Sequence, residues 1–208
     1  MNVASVTLEG RVVRLEPLAE SHHEALCEVG LDPELWTWTN IGIATRAEMA
    51  DYIRSALEAQ SGGSAVPFTT ILRESGKVIG GTRFMNIDPA HRRVEIGFTW
   101  IARPWQRSAV NTEAKYLMLR HAFEVWKCNR VEFKTDVLNR RSRDAIARIG
   151  ATEEGILRKH IITASGRVRD TVYYSILDSE WPRVRAHLEN KLISRRSGPD
   201  VLLPDASE

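Results

Sequence analysis

Apolar-rich segments separated by turn residues predict a three-stranded antiparallel meander in the middle of the chain. Three such segments lie at 66–73, 77–85 and 93–101, and turn residues separate them at 74–76 and 88–89. The third segment alternates most regularly, with four apolar residues on one face of a strand and three other residues on the opposite face. The apolar set is Val94, Ile96, Phe98 and Trp100, and the opposite set is Glu95, Gly97 and Thr99.

Helical spacing of apolar residues predicts helices at about 21–30, 45–60, 112–127, 139–149 and 179–192. Ser21 with Glu24, and Thr45 with Glu48, have the spacing of capping boxes, which predicts where the first two helices begin. The third helix is apolar over most of its circumference, so we expect it to pack deep in the fold.

The order of the predicted elements indicates one domain of mixed α/β (α+β) class. Further strands are predicted at 11–18, 130–137, 154–162 and 168–177. The strand–helix–strand connection from Arg93 to Val137 predicts a right-handed parallel crossover, and the remaining pairs are expected to be antiparallel. We therefore expect a mixed sheet within residues 1–194, followed by a tail at 195–208.

Composition excludes several functional classes. The 208 residues, 43% of them hydrophobic, suffice for one domain with a substantial core. The net charge of +2 does not suit a protein that coats nucleic acid, and two cysteines cannot form a disulfide framework. No apolar run is long enough for a membrane helix, and the N-terminus lacks the apolar core of a signal peptide. These features predict a cytoplasmic protein without membrane contact.

The charge is unevenly distributed along the chain. Residues 1–60 contain four basic and ten acidic residues and carry −6, whereas residues 61–208 contain 25 basic and 17 acidic residues and carry +8. This asymmetry indicates either two surfaces with different electrostatic tasks or uneven scatter of solvated charge.

Two helix starts are the candidate functional sites, because the motifs of other chemistries are absent. The chain has no phosphate loop, no nucleophile elbow and no histidine spacing that suits a metal. Residues 103–113 and 139–142 each connect a predicted strand to a helix, and exposed amides at a helix start bind anions. Since the two strands are expected to be parallel neighbours, both helix starts should lie at one edge of the sheet. The alternative is that both are ordinary capped loops.

Several short motifs, taken in their order and spacing, resemble the GNAT acetyltransferase superfamily. The likeness is greatest to its RimJ/RimL-like branch of protein N-terminal-alanine acetyltransferases and spans about residues 8–190. The motifs are Glu95-Ile96-Gly97, Asn111-Thr112-Glu113-Ala114, Asn139-x-x-Ser142, Gly150-Ala151, Glu154-Gly155-x-Leu157-Arg158, Asp170, Tyr174-Ser175-Ile176-Leu177 and Glu180-Trp181.

This resemblance implies a mostly antiparallel, twisted sheet in which one parallel pair of strands is splayed to hold acetyl-CoA. It implies that the pyrophosphate lies on the amides of 106–112, and that the pantetheine arm pairs with 99–101 and bonds to Asn139. Ser142 would lie near the sulfur. The cofactor-binding residues so implied are Thr99, Trp100, Ile101, Gln106, Arg107, Ser108, Ala109, Val110, Asn111, Thr112, Asn139 and Ser142.

The pyrophosphate loop departs from the family's usual pattern of Gln/Arg-x-x-Gly-x-Gly/Ala. Residues 106–111 read Gln-Arg-Ser-Ala-Val-Asn, without any glycine. Glycine permits close backbone approach and positive φ, whereas amide donors survive any side chain except that of proline. We expect acetyl-CoA binding to persist with some loss of affinity; the alternative is a site that is altered or lost.

The resemblance also implies catalytic residues. In enzymes of this kind a carboxylate at the position of Glu95 often serves as the base that deprotonates the amine. The alternative is a solvated strand glutamate, or an ion pair with Arg92 or Arg93. Ser142 would donate to the leaving sulfur, with a helix-start hydrogen bond as its alternative. A backbone amide near 99–101 would bind the oxyanion.

The expected acceptor is an amine bound by Trp36, Trp38 and Glu95. In the family the first helices and their loop form a wall of the acceptor pocket. Here that region is the acidic segment, and an acidic, aromatic wall suits a cationic amine. The alternative is that both tryptophans are packing residues. Peptide N-termini, aminoglycoside-like antibiotics, polyamines and small amine metabolites all fit.

The sequence thus predicts an acyl-CoA-dependent N-acetyltransferase that works by direct attack in a ternary complex, with no metal. The alternative is a CoA-binding or regulatory module on the same fold without catalysis, which the glycine-free loop suggests. Arginines at 140–143 suggest nucleic-acid binding, but low net charge and few interleaved aromatic residues disfavour it. A homodimer is a possible assembly.

Overall fold

The computed structural model describes residue 1 and residues 3–194, so the tail predicted at 195–208 lies outside the described residues. The strands are β1 (Leu8–Glu9), β2 (Val13–Pro17), β3 (Ala65–Leu72), β4 (Val78–Asp88), β5 (Arg93–Ile101), β6 (Arg130–Asp136), β7 (Thr152–Ile162) and β8 (Val168–Leu177). The helices are α1 (His23–Gly30), α2 (Arg46–Ser61), α3 (Val110–Arg120), α4 (Arg140–Arg148) and α5 (Trp181–Ser194).

The strands form one sheet in the order β1-β2-β3-β4-β5-β6-β8-β7. β5 and β6 are parallel and α3 connects them, whereas the other neighbours in the described part of the chain are antiparallel. The predicted mixed α/β domain with one parallel pair is therefore confirmed. None of the described helices is long and apolar enough to cross a membrane.

Backbone pairing between β5 and β6 stops soon after it begins. It is limited to residues 93–95 of β5 and 130–132 of β6, although β5 runs on to Ile101 and β6 to Asp136. Beyond this point β5 keeps its partner β4, and β6 keeps its partner β8. The two strands are therefore splayed, and a cleft opens between their carboxyl ends, as the resemblance implied.

A β-bulge reverses the side-chain alternation near the end of β5. Gly97 pairs with Arg83 and Trp100 pairs with Gly81, so three steps along β5 match two along β4. Phe98, inside the bulge, has a positive φ of 46°. Side chains before and after the bulge therefore exchange faces.

The prediction that Phe98 and Trp100 share a face with Val94 and Ile96 is wrong, because of this bulge. Val94 and Ile96 belong to the apolar core between the sheet and helices α3 and α5. Trp100 lies in a second core between the sheet and helices α1 and α2, and Phe98 packs against that core. Each face of the sheet is thus covered by its own helices.

One of the two predicted capping boxes is confirmed. The Thr45 hydroxyl accepts the Glu48 amide hydrogen at 3.2 Å, and the Glu48 carboxylate accepts the Thr45 amide hydrogen at 2.9 Å. The box predicted at Ser21 is wrong, since a 3-10 turn at Glu20–His22 precedes α1, which has no side-chain cap. Glu24 instead forms an ion pair with Arg46.

Glu113, in the first turn of α3, ties this helix to the N-terminal segment. Its buried carboxylate accepts hydrogen bonds from the amides of Arg11, Val12 and Val13 at 2.9, 2.7 and 2.7 Å. Gly10 passes so close that a Cβ there would lie 2.4 Å from a carboxylate oxygen of Glu113. The start of α3 is thereby fixed against the beginning of β2.

Lys115, also on α3, is a buried amine. Its Nζ donates to the hydroxyl oxygens of Thr82 and Thr99 at 3.2 and 2.5 Å. No ion pair joins it to a carboxylate in residues 3–194. Burial without a counter-charge lowers the pKa of Lys115 to about 7.

We predict that Glu113→Gln lowers the free energy of unfolding by about 1–3 kcal/mol, because the new amide hydrogens face backbone N–H groups and leave a buried donor unpaired. Denaturant unfolding monitored by circular dichroism measures this change. The exposed Glu58→Gln on α2 is the control and should stay within about 0.5 kcal/mol of the parent protein. Equal stability of both variants would contradict the anchoring role of Glu113.

We predict that Lys115→Met stabilises the fold most at low pH. The folded pKa of about 7 lies below the ordinary 10.5, so the unfolded chain binds the Lys115 proton more tightly. The free energy of unfolding of the parent protein should therefore rise relative to that of the variant between about pH 7 and pH 10. Below about pH 7 the buried amine is charged, and its full destabilising effect is present. Denaturant midpoints across this range measure the difference. The exposed Lys77→Met is the control, and a difference independent of pH for Lys115→Met would contradict the prediction.

Candidate functional site

The cleft between the splayed strands is bordered by two helix starts. The loop after β5 leads into α3 and the loop after β6 leads into α4. Because β5 and β6 are adjacent and parallel, both helix starts lie at the same edge of the sheet, as predicted. No group of three His, Cys, Asp or Glu side chains in the described residues could hold a metal ion.

The loop before α3 is held in shape by its own side chains. A 3-10 turn at Arg103–Trp105 is followed by Gln106, whose side-chain Nε2 donates to the Ile101 carbonyl at 2.8 Å. The Ser108 hydroxyl donates to the Trp105 carbonyl at 2.6 Å. Gln106 and Ser108 therefore close the loop on itself.

The absent glycines leave no backbone strain at their positions. In the family pattern glycine would stand at position 109 and glycine or alanine at position 111, but Ala109 has a φ of −70° and Asn111 lies in the first turn of α3. Arg107 is the loop residue with a positive φ, at 63°. The departure from the family pattern therefore adds side-chain atoms to the loop, but it does not force Ala109 or Asn111 into the left-handed backbone conformation that favours glycine.

The first turn of α3 presents backbone donors to the cleft edge. The helix begins at Val110, so the amides of Val110, Asn111 and Thr112 have no acceptor within the helix. The Ser108 hydroxyl accepts the Val110 amide hydrogen at 3.3 Å. The amides of Asn111 and Thr112, at the positive end of the helix dipole, are thus suited to an anion.

Asn139 and Ser142 meet at the start of α4. The Asn139 side-chain oxygen accepts the Ser142 amide hydrogen at 3.0 Å, which is an N-cap interaction. Both residues are half-buried. This contact corresponds to the alternative named above for Ser142, a hydrogen bond at a helix start. That the Ser142 hydroxyl donates to the leaving sulfur stays a prediction.

Glu95 is the buried carboxylate of the cleft, 5% exposed. Lys134 Nζ lies 2.6 Å from Glu95 Oε2, and the Asn86 side-chain amide donates to the same oxygen at 2.7 Å. Of the alternatives named above, a solvated glutamate is wrong because Glu95 is buried, and an ion pair with Arg92 or Arg93 is wrong because the partner is Lys134; Arg93 pairs with Asp88 and Glu132. The partners differ because pairing between β5 and β6 has ended, which lets Lys134 reach across the opening.

Lys134 was not predicted from the sequence. Glu132 on β6 is in register with Glu95 on β5. Lys134 is two residues after Glu132, so its side chain lies on the same face of β6 as that of Glu132. Burial lowers the pKa of Lys134, but the hydrogen bond and charge of Glu95, with Tyr173, outweigh burial and raise it. Lys134 is therefore a persistent cation beside Glu95. Only the register of the parallel pair, which the sequence does not reveal, could have identified it.

The two tryptophans have different environments. Trp36 is 4% exposed, donates from its ring nitrogen to the Gly30 carbonyl at 2.8 Å, and packs against Tyr52 and Trp100. These contacts favour the packing alternative for Trp36 over contact with a substrate. Trp38 is half-buried and lies near the guanidinium of Arg167.

The acidic charge of residues 1–60 is largely used in local pairs. Six of these carboxylates form ion pairs with arginine, and a seventh, Glu48, caps α2. The paired residues are Glu9 with Arg73, Glu16 with Arg14, Glu24 with Arg46, Asp32 and Glu34 with Arg103, and Asp51 with Arg54. The acidic charge of residues 1–60 therefore gives little support to a cationic acceptor.

Comparison with known proteins places this geometry in a family. Residues 13–152 match the acetyltransferase (GNAT) domain. Over 106 residues the chain is 37% identical to "Putative ribosomal N-acetyltransferase YdaF" of Bacillus subtilis (strain 168), a match covering 51% of this chain and 57% of that protein. A crystal structure of a GCN5-related N-acetyltransferase from Brucella melitensis is similar with a TM-score of 0.86 at 34% identity, covering 92% of this chain and 87% of that chain.

The structure of Mycobacterium smegmatis RimJ in complex with CoA-disulfide has the same fold, with a TM-score of 0.77 at 23% identity over 90% of this chain and 93% of that chain. These relatives are consistent with the resemblance to the RimJ/RimL-like branch. Since the matched domain includes the splayed strands and both helix starts, the chain belongs to the GNAT acetyltransferase family.

Proposed function

We propose that this protein transfers an acetyl group from acetyl-CoA to a primary amine, either a protein N-terminus or a small amine. The observation that carries the proposal is the splayed parallel pair with unpaired amides of α3 at its open edge. Family membership supports acyl-CoA as the donor. An extended pantetheine arm suits the edge of β5 at 99–101, which has lost its strand partner, and a pyrophosphate suits the amides of Asn111 and Thr112.

The residues of the cleft suit direct attack in a ternary complex. The thioester supplies the activated acyl group. Glu95 accepts the proton that the amine must lose, and Lys134 with Asn86 holds its carboxylate in position. The amine nitrogen forms a bond to the acyl carbon as the carbon–sulfur bond breaks. A backbone amide near 99–101 stabilises the oxyanion, and the Ser142 hydroxyl donates to the departing thiolate.

We predict that Ala109→Pro weakens acetyl-CoA binding about tenfold or more, because it deletes one amide donor to the pyrophosphate. The φ of −70° at Ala109 already suits proline, so the fold should persist. Calorimetric titration measures the change. Ala109→Gly keeps the amide and should bind at least as tightly as the parent protein. Acetyl-pantetheine, which lacks the pyrophosphate, should not distinguish these proteins.

Two results would contradict the donor assignment. Equal acetyl-CoA affinity of Ala109→Pro and Ala109→Gly would show that the Ala109 amide does not bind the pyrophosphate. Failure of millimolar acetyl-CoA to raise the melting temperature of the parent protein would overturn the acetyltransferase function as a whole.

We predict that Glu95→Gln lowers kcat about 100-fold or more with little change in acetyl-CoA affinity, because the amide cannot accept the amine proton. Thiol release with the best amine from a panel of peptides, polyamines, aminoglycosides and small amines measures kcat. The matched control is Glu132→Gln, which removes a carboxylate paired with Arg130 on the neighbouring strand. Unchanged turnover in Glu95→Gln would leave Glu95 a structural partner of Lys134 only.

A further inference from the structure

Arg83, on β4, is a buried guanidinium without a counter-charge. It is 6% exposed, and its Nε and Nη2 atoms are buried without a hydrogen-bond partner. No carboxylate within residues 3–194 lies in ion-pair distance of it. Its guanidinium carbon lies 4.1 Å from the ring centre of Phe98 and 5.1 Å from that of Tyr52. Aromatic faces offset part of the cost of burying a cation, but they leave its N–H groups unpaired.

The two unpaired nitrogens form one recognition edge. In a planar guanidinium the hydrogens on Nε and Nη2 point in the same direction, and this fork matches the two oxygens of a carboxylate. The unsatisfied atoms of Arg83 are the pair that would bind a carboxylate side-on. A purely structural stack on Phe98 and Tyr52 would not require this edge to be empty.

Arg83 lies on the same face of the sheet as Glu95. Arg83 is opposite Gly97 and Met85 is opposite Glu95, so the two charged residues are diagonal neighbours on adjacent strands. Gly97 itself has no side chain, and a Cβ there would lie 2.7 Å from Met85 Sδ and 3.3 Å from Glu95 Oε1. The flexible Met85 side chain therefore lies beside Glu95 on this face. The Phe98 ring lies over the guanidinium and is itself half-buried, so a half-buried side chain borders Arg83 on this side.

We propose that Arg83 binds a carboxylate of the acceptor, so that the preferred acceptor carries both an amine and a carboxylate. This inference rests on the proposed acetyl transfer and adds its substrate class. An acceptor whose amine is at Glu95 places its carboxylate one strand away, at the empty fork. The carboxylate can be that of a free amino acid or an acidic side chain near a peptide N-terminus.

The test compares acceptors that differ only in whether they carry a carboxylate or the corresponding amide. Amino acids are measured against their carboxamides, and peptides with aspartate at the second position against those with asparagine. In one of these pairs we expect the parent protein to have a kcat/KM about tenfold or more higher for the acid than for the amide, chiefly through a lower KM. The pair that shows this preference tells whether the carboxylate belongs to a free amino acid or to a peptide side chain. Arg83→Met should abolish the preference, and Arg83→Lys should restore it in part.

Arg120→Met is the matched control, because Arg120 also lies over an aromatic ring, that of Tyr116, at 5.5 Å. It should keep the preference. Arg83→Met should not lower the melting temperature, since it removes an unpaired buried charge. Turnover without any acid preference, or a preference that survives Arg83→Met, overturns the role of Arg83 and leaves acetyl transfer intact.

A separate binding measurement covers the case in which no amine is acetylated. That result would overturn the proposed function. The carboxylate site is then tested by comparing the binding of N-acetylglycine with that of N-acetylglycinamide in the presence of CoA. Calorimetric binding of the acid alone, lost in Arg83→Met, supports the carboxylate site. Equal binding of both compounds, or of neither, overturns it.

Discussion

The early end of pairing between β5 and β6 is the constraint on which the rest of the site depends. Two parallel strands that stayed in register would satisfy each other's backbone and leave no room for a ligand. Here each strand keeps a full antiparallel partner on its outer side, so the sheet remains continuous while its centre opens. The opening frees one edge of β5, lets Lys134 reach Glu95, and places two helix starts at the same end.

The bulge at Phe98 has consequences on both faces of the sheet. Before it, β5 directs Val94 and Ile96 toward α3; after it, Trp100 fills the core under α1 and α2. Thr99 is turned toward α3, where its hydroxyl accepts a hydrogen bond from Lys115. One inserted residue therefore places Trp100 in the core under α1 and α2 and lets Thr99 satisfy a buried amine on the opposite face of the sheet.

The sequence predicted elements well where a local signal determines them. Alternation identified the strands, the Thr45–Glu48 spacing identified a helix start, and the long crossover through α3 implied the parallel pair. Alternation could not reveal the bulge, because a phenylalanine with positive φ leaves no mark in the apolar pattern. The partner of Glu95 was missed for a related reason: Lys134 is 39 positions away, and only the register of two strands that a helix separates along the chain brings the two residues together.

Charge along the sequence is a poor guide to charge at the site. The acidic excess of residues 1–60 is largely consumed by arginines at the surface, where such pairs contribute little energy and little long-range field. The charges that matter are few and buried, and they come from strands and a helix rather than from the acidic segment. Lys134 is matched by Glu95, and Lys115 is relieved by hydroxyl groups and a lowered pKa. Arg83 has neither form of relief, since a guanidinium does not readily lose its proton. A cation in that condition beside the candidate base suits an anion, which adds a carboxylate to the cationic amine that the acidic segment alone had suggested.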